Sequence, residues 1–251
     1  MKKKALLLLA LTVVSASIFA QDKKLRLGLT LFPTINIIKP DVDAINKEKN
    51  GFGFSYGLIT DFGFGSNYAF STGLHISTTS GTVSYKDRAF PDTDKTNNFA
   101  ADTEAKYNLK YIDIPLTLKL RTNEIGYITY YGQFGLGLGI NIKATQDLET
   151  TYGADKKVLT VEDQDISDDI KLFRTALIVG GGIEYSISGN TALQIGLTFN
   201  NGFSNILNGK VPSTDANGDV ETTSGNTEIK YSDKKRSATN NFFALNLGIF
   251  F

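Results

Sequence analysis

Cysteine and tryptophan are absent from the 251 residues, and histidine occurs once, as His75. Without cysteine there are no disulfides, no thiolate metal sites and no lipidated N-terminal cysteine. A lone histidine argues against a His-based zinc site and against a Ser-His triad. No cofactor is expected. Proline is scarce, at 5 residues, whereas glycine numbers 24. Basic and acidic residues balance at 26 each, so nothing points to a nucleic-acid partner. Beyond the first twenty residues there is no run of about 18 apolar residues, which excludes a helical membrane span.

What is present begins with a leader. The stretch MKKKALLLLALTVVSASIFA places Lys2, Lys3 and Lys4 before an apolar run and ends in small residues. That order is a Sec-type signal peptide over residues 1–20, too short to span a bilayer. Residues 21–251 are expected to form one domain outside the cytoplasm.

Across that domain apolar residues recur at every second position, the mark of strands with one apolar face. Eight such segments occur, near residues 24–35, 52–64, 68–79, 107–121, 127–142, 172–187, 191–200 and 240–251. Leu25, Leu27, Leu29 and Leu31 share one face of the first, and Leu193, Ile195, Leu197 and Phe199 one face of the seventh. The opposite face is small or polar, as with Gly53, Ser55 and Gly57, or Gln133, Gly135 and Gly137. Three connections are short, near 65–67, 122–126 and 188–190. Four are long and polar, near 38–51, 80–106, 143–171 and 201–239, and the two kinds alternate strictly.

Each segment reaches the roughly 9–11 residues that a tilted strand needs to cross a bilayer core. In lipid every backbone N–H and C=O must be paired internally, so the sheet has to close on itself. The prediction is an all-β, eight-stranded antiparallel up-and-down transmembrane β-barrel, with short turns in the periplasm and long loops outside. A soluble barrel would turn the apolar face inward and leave the glycine-rich face in water, where glycine packs against nothing. The location that follows is the cell outer membrane, with membrane lipid as one partner.

The core of the fourth segment, YIDIPLTLK, resembles the signature strand of PorT-type outer-membrane β-barrel proteins of Bacteroidetes, a porin-family group. Tyr111, Asp113, Pro115, Leu116 and Lys119 carry the resemblance, and the following strand YYGQFGLGLGINI is similar to the glycine-rich strand of that family. The resemblance implies an outer-membrane location and assigns no activity. Pro115 removes one ladder donor inside a closed sheet, which predicts a β-bulge there.

Arg26, His75, Asp113, Lys119, Arg121, Arg174 and Glu184 should face the lumen. Asp113 and Glu184 are expected to pair with Arg174, Arg26 or Lys119, because buried charges persist only when paired. The simplest role for the set is a polar plug that rigidifies the barrel, with His75 as a satisfied lumen side chain. In the last long loop Asp215, Asn217, Asp219 and Glu221 alternate as oxygen ligands do in a calcium loop, although a polar turn on Asn217–Gly218 accounts for the same residues. No catalytic set is visible. The leading reading is a structural or surface-interaction barrel whose long loops meet an envelope partner. The alternatives are a narrow channel or a component of an envelope secretion or transport system and, behind both, a lipid-modifying barrel enzyme. The terminal Phe251 resembles the signal read by barrel-assembly machinery, a further expected partner.

Overall fold

A computed structural model of the chain describes residues 25–91, 98–189, 191–216, 219–223 and 228–251. The predicted leader over 1–20, the first residue of the first predicted strand (Lys24), Asn190 of the third short turn, and the Asn217–Gly218 pair lie outside the described residues. Among those described, no helix is long and apolar enough to cross a membrane.

Eight long strands close a ring. They are β1 (Leu25–Pro40), β2 (Ile45–Gly63), β3 (Tyr68–Ala89), β4 (Phe99–Arg121), β5 (Ile128–Tyr152), β7 (Phe173–Ser188), β8 (Thr191–Gly202) and β11 (Ala238–Phe250). Each pairs antiparallel with its sequence neighbour in that series, and β1 pairs with β11 from Gly28↔Phe250 to Pro40↔Ala238. The closing strand is therefore the last one, as expected. Among the described residues three short strands lie in the connections. β6 (Lys157–Asp165) pairs with the upper half of β5, and β9 (Lys210–Pro212) pairs with β10 (Tyr231–Lys235).

The period-two pattern sets which side chains look where. Leu27, Leu29, Leu58, Leu74, Leu136, Val179, Ile195 and Leu245 all stand exposed around the outside of the ring. Thr30, Ser55, Ser71, Thr117, Gln194 and Asn246 are buried inside it. An apolar band of this extent on a closed sheet has no counterpart on a protein bathed only in water.

Two expectations need correction. Three of the four long connections, near 38–51, 80–106 and 143–171, are mostly strand, whereas 201–239 is mostly loop among the described residues. The loop expected over 38–51 shrinks to residues 41–44, and the β3–β4 and β5 segments run far beyond the apolar belt. Above the belt the alternation inverts: the outward side chains are polar, as with Glu104 and Lys106, and the inward ones apolar, as with Ala105 and Leu109, so the lipid-facing apolar pattern ends while backbone pairing, which does not depend on side-chain polarity, continues. The bulge expected at Pro115 is also not there. Pro115 pairs with Gly137 in unbroken register with β5. On the β3 side the pairs stop at Thr72↔Leu116 and resume at His75↔Asp113 with the same register. The missing N–H costs a gap in one ladder and no extra residue. The extra residue lies further on, at Ile142, between the pairs Tyr111↔Asn141 and Lys110↔Lys143.

Candidate functional site

All seven lumen residues named from sequence that can carry charge lie on the inward face, in two groups. At the short-turn end Lys119 is wholly buried, with its ammonium 2.7 Å from Glu184 Oε1 and 3.0 Å from Asp61 Oδ2. Arg26 donates to Glu184 Oε2 at 2.6 Å, and Arg121 to Asp61 Oδ2 at 2.5 Å. The rings of Tyr131 and Phe250 face the Lys119 ammonium at 4.6 and 4.7 Å. Three cations and two carboxylates thus fill the barrel cross-section, with aromatic faces replacing part of the water that a buried ammonium would otherwise need.

Nearer the middle Arg174 donates to both oxygens of Asp113, at 2.8 and 3.1 Å, and to Thr79 Oγ1 at 3.2 Å. Its guanidinium lies 3.8 Å over the Tyr111 ring. Ser77 Oγ donates to Asp113 as well. Gly139 makes this pair possible: a Cβ there would sit 2.5 Å from Asp113 Oδ1 and 2.6 Å from Arg174 Cγ. Gly196 likewise leaves room for the Tyr131 hydroxyl, which accepts a hydrogen bond from Gln194 Nε2 at 2.7 Å. His75 is inside the lumen, edge-on to Phe32 at 4.9 Å. Its ring lies within reach of the Leu58 backbone carbonyl, while Nε2 has no hydrogen bond of regular geometry among the described residues. Among the described residues no hydrogen bond joins His75 to a serine, because Ser77 is committed to Asp113.

Between the two charged groups is a chamber of about 90 Å³, lined by polar residues such as Ser55, Gln133, Asn200 and Asn246. Above them the inward face turns apolar. Ile38, Val83, Ala105, Leu109 and Ala144 of the walls pack with Ile166, Ile170, Ile206 and Leu207 from the connections. Tyr107 belongs to this cap, and burial pushes its phenol above the usual range. The lumen is therefore stopped twice, by an ionic plug at the short-turn end and by an apolar cap at the other.

Of the four residues of the calcium reading, Asp215, Asp219 and Glu221 are described. Asp215 Oδ1 accepts from the Asp219 backbone N–H at 3.0 Å, and Glu221 is paired with Lys230 at 2.7 Å. Asn217 lies outside the described residues. Among those described, no group of three or more histidine or acidic side chains is placed to hold a metal ion.

Asp61, Tyr131 and Phe250 were missed from sequence. Each sits on the inward parity of its strand: Asp61 with Ser55 and Gly57, Tyr131 with Thr129 and Gln133, Phe250 with Asn246 and Gly248. The signal was present in the alternation. The rule that the inner face is small or polar hid the two aromatics, and Asp61 lies two inward positions beyond Gly57.

The chain belongs to the family of the outer membrane protein beta-barrel domain, whose model matches residues 19–208. It is similar to solved structures of several outer-membrane proteins. Ail, the attachment invasion locus protein of Yersinia pestis, is 15% identical over 91% of this chain and 99% of that one, with a TM-score of 0.33. OprG from Pseudomonas aeruginosa is 10% identical over 91% and 96%, with a TM-score of 0.38. The protease OmpT from Escherichia coli is 12% identical over 92% and 97%, with a TM-score of 0.34. No curated protein matches the chain.

Proposed function

We propose that this member of the outer-membrane barrel family is a closed structural and surface-interaction protein, whose long-loop end meets a partner in the cell envelope. The observation that carries the reading is the double stop in the lumen, with Lys119 fully buried among its partners at one end and the apolar cap at the other. A barrel sealed twice offers its surface rather than a path. Planar-bilayer recording tests this: no stepwise conductance is expected from the folded protein, and ohmic steps would overturn it in favour of a narrow channel. Crosslinking at the long-loop end in native envelopes, followed by identification of the captured protein, tests the partner.

We infer further that the barrel is of PorT-like type. Tyr111, Asp113 and Lys119 of the YIDIPLTLK strand are three of the residues that organise the lumen, through the Arg174 stack, the Arg174 pair and the buried ammonium. Residues 1–20 act as the leader in this reading. Phe251 is exposed, and its N–H donates to the Leu27 carbonyl at 2.9 Å, which supports a role as the terminal assembly signal. A polar tail appended after Phe251 should lower insertion in cells; insertion at the normal level would remove that role.

A further inference from the structure

We propose that the outer wall of the barrel holds the phosphate of an acidic membrane lipid between Lys110 of β4 and Lys143 of β5, at the long-loop rim of the apolar belt. The two lysines are direct cross-strand partners, and both are exposed. They stand on the outward face, because the adjoining partners Leu109 and Ala144 are buried in the lumen cap. Residues opposite one another on one face have Cβ atoms about 5 Å apart, and like charges there weaken the pairing. Neither ammonium forms an ion pair among the described residues; the ion pairs of this wall, Lys106–Asp147, Lys49–Glu104 and Lys86–Asp102, lie further from the belt. An anion seated between the two lysines would remove that repulsion.

The carboxylates around the pair are committed or stand higher. Asp147 is taken by Lys106, by Asn108 Nδ2 and by the Asp163 N–H. Asp165 accepts from the Ser167 N–H and Oγ at 2.8 and 2.6 Å. Those two bonds, and more weakly the field of Lys143, hold its carboxyl below the usual range. Lys171 and Asp168, both exposed in the connection after β6, add one charge of each sign. Asp169 Oδ1 lies towards Gly209 of the last connection. Glu104, Glu149 and Glu162 are exposed above the level of Lys110 and Lys143. The outward charge therefore changes sign with height, basic against the belt and acidic beyond it.

Immediately below the pair the wall is apolar. Leu138 and Ile142 are exposed on β5, and Ile140 is paired with Phe173 of β7, itself 63% exposed. The lysines are thus the first charges above a lipid-facing surface, at the depth where a headgroup sits over its acyl chains. A lysine ammonium binds phosphate as a point charge, and two across one ladder can share it. A lipid brings its phosphate there on chains that pack against the isoleucines. Free phosphate would have only two exposed charges to hold it against water, and a zwitterionic lipid carries its own cation to the same place.

The test is native mass spectrometry of the folded chain in detergent micelles, titrated with phosphatidylglycerol or phosphatidylcholine. One phosphatidylglycerol should be retained at concentrations where phosphatidylcholine is not. Lys110→Gln or Lys143→Gln should weaken that first lipid about fivefold. Lys39→Gln removes an exposed lysine of β1, opposite Thr239 on another part of the rim, and should leave it unchanged, which separates the site from overall charge. Inorganic phosphate in excess should not displace the lipid. In phosphatidylcholine vesicles Lys143→Gln should unfold at the same urea concentration as the wild type or a higher one, because the like-charged pair is gone, and adding phosphatidylglycerol should reverse that order. Equal retention of the two lipids, an equal loss in Lys39→Gln, an unchanged first lipid in Lys143→Gln, displacement by inorganic phosphate, or an order in urea that does not reverse would each overturn the site.

Discussion

At the residue scale the plug depends on Lys119. Its ammonium is the shared counter-ion of Asp61 and Glu184. Lys119→Met should destabilise the barrel by about 3–5 kcal/mol in urea unfolding from lipid vesicles, because it leaves buried carboxylates short of a partner. Adding Asp61→Asn should recover part of the loss. Gly139→Ala places a methyl against both members of the Asp113–Arg174 pair, and the overpacking should cost about 1–3 kcal/mol in the same assay. The inward charges were legible from parity alone. Their pairing was not, since Arg26 and Glu184 are 158 residues apart and only ring closure brings their strands to opposite sides of one lysine.

At the element scale a single residue, Ile142, sets the orientation of the upper half of β5. Below it the odd-numbered residues face inward; above it Ala144 and Leu148 do. Deleting Ile142 should turn those two side chains outward and loosen the cap, read as faster amide exchange across 144–165. A second bulge follows, where β5 meets β6. There Asp163 has a φ of 51° and donates its N–H to Asp147 Oδ1 at 3.1 Å. That bond, followed by Asn108 and Lys106, holds the Asp147 carboxyl below its ordinary 3.8. A depressed carboxylate stabilises the fold fully above its unfolded value and stops doing so as pH falls through the folded one. The protection of the Asp163 amide, its exchange relative to an unstructured chain at the same pH, should therefore fall below about pH 4, and Asp147→Asn should remove that pH step. The bulge at Ile142 left no trace in the sequence, because an apolar residue there continues the outward pattern. Pro115 left a strong one that misled: proline removes a donor, and a neighbouring ladder can lose a pair without gaining a residue.

At the scale of the whole molecule two seals act in series. Ile206→Ala removes a side chain buried among β-strand walls and connections, at a cost of about 2–5 kcal/mol. It should raise protease sensitivity of the long-loop end without producing conductance, because the ionic plug is untouched. Step currents are expected only when the cap and the plug are both disrupted, for instance by combining Ile206→Ala with Lys119→Met in planar bilayers. Conductance from the cap variant alone would show that the plug is not a barrier.

The alternation of side chains determined by itself the strand faces, the number of ring strands and the closure of the last strand on the first, because face and parity are properties of a local backbone with period two. Only the tertiary structure decided how far the strands rise above the belt, which carboxylate meets which cation, and that the upper lumen is closed by apolar residues from the connections. Those depend on register around a closed ring, and register relates residues whose separation along the chain carries no period to read.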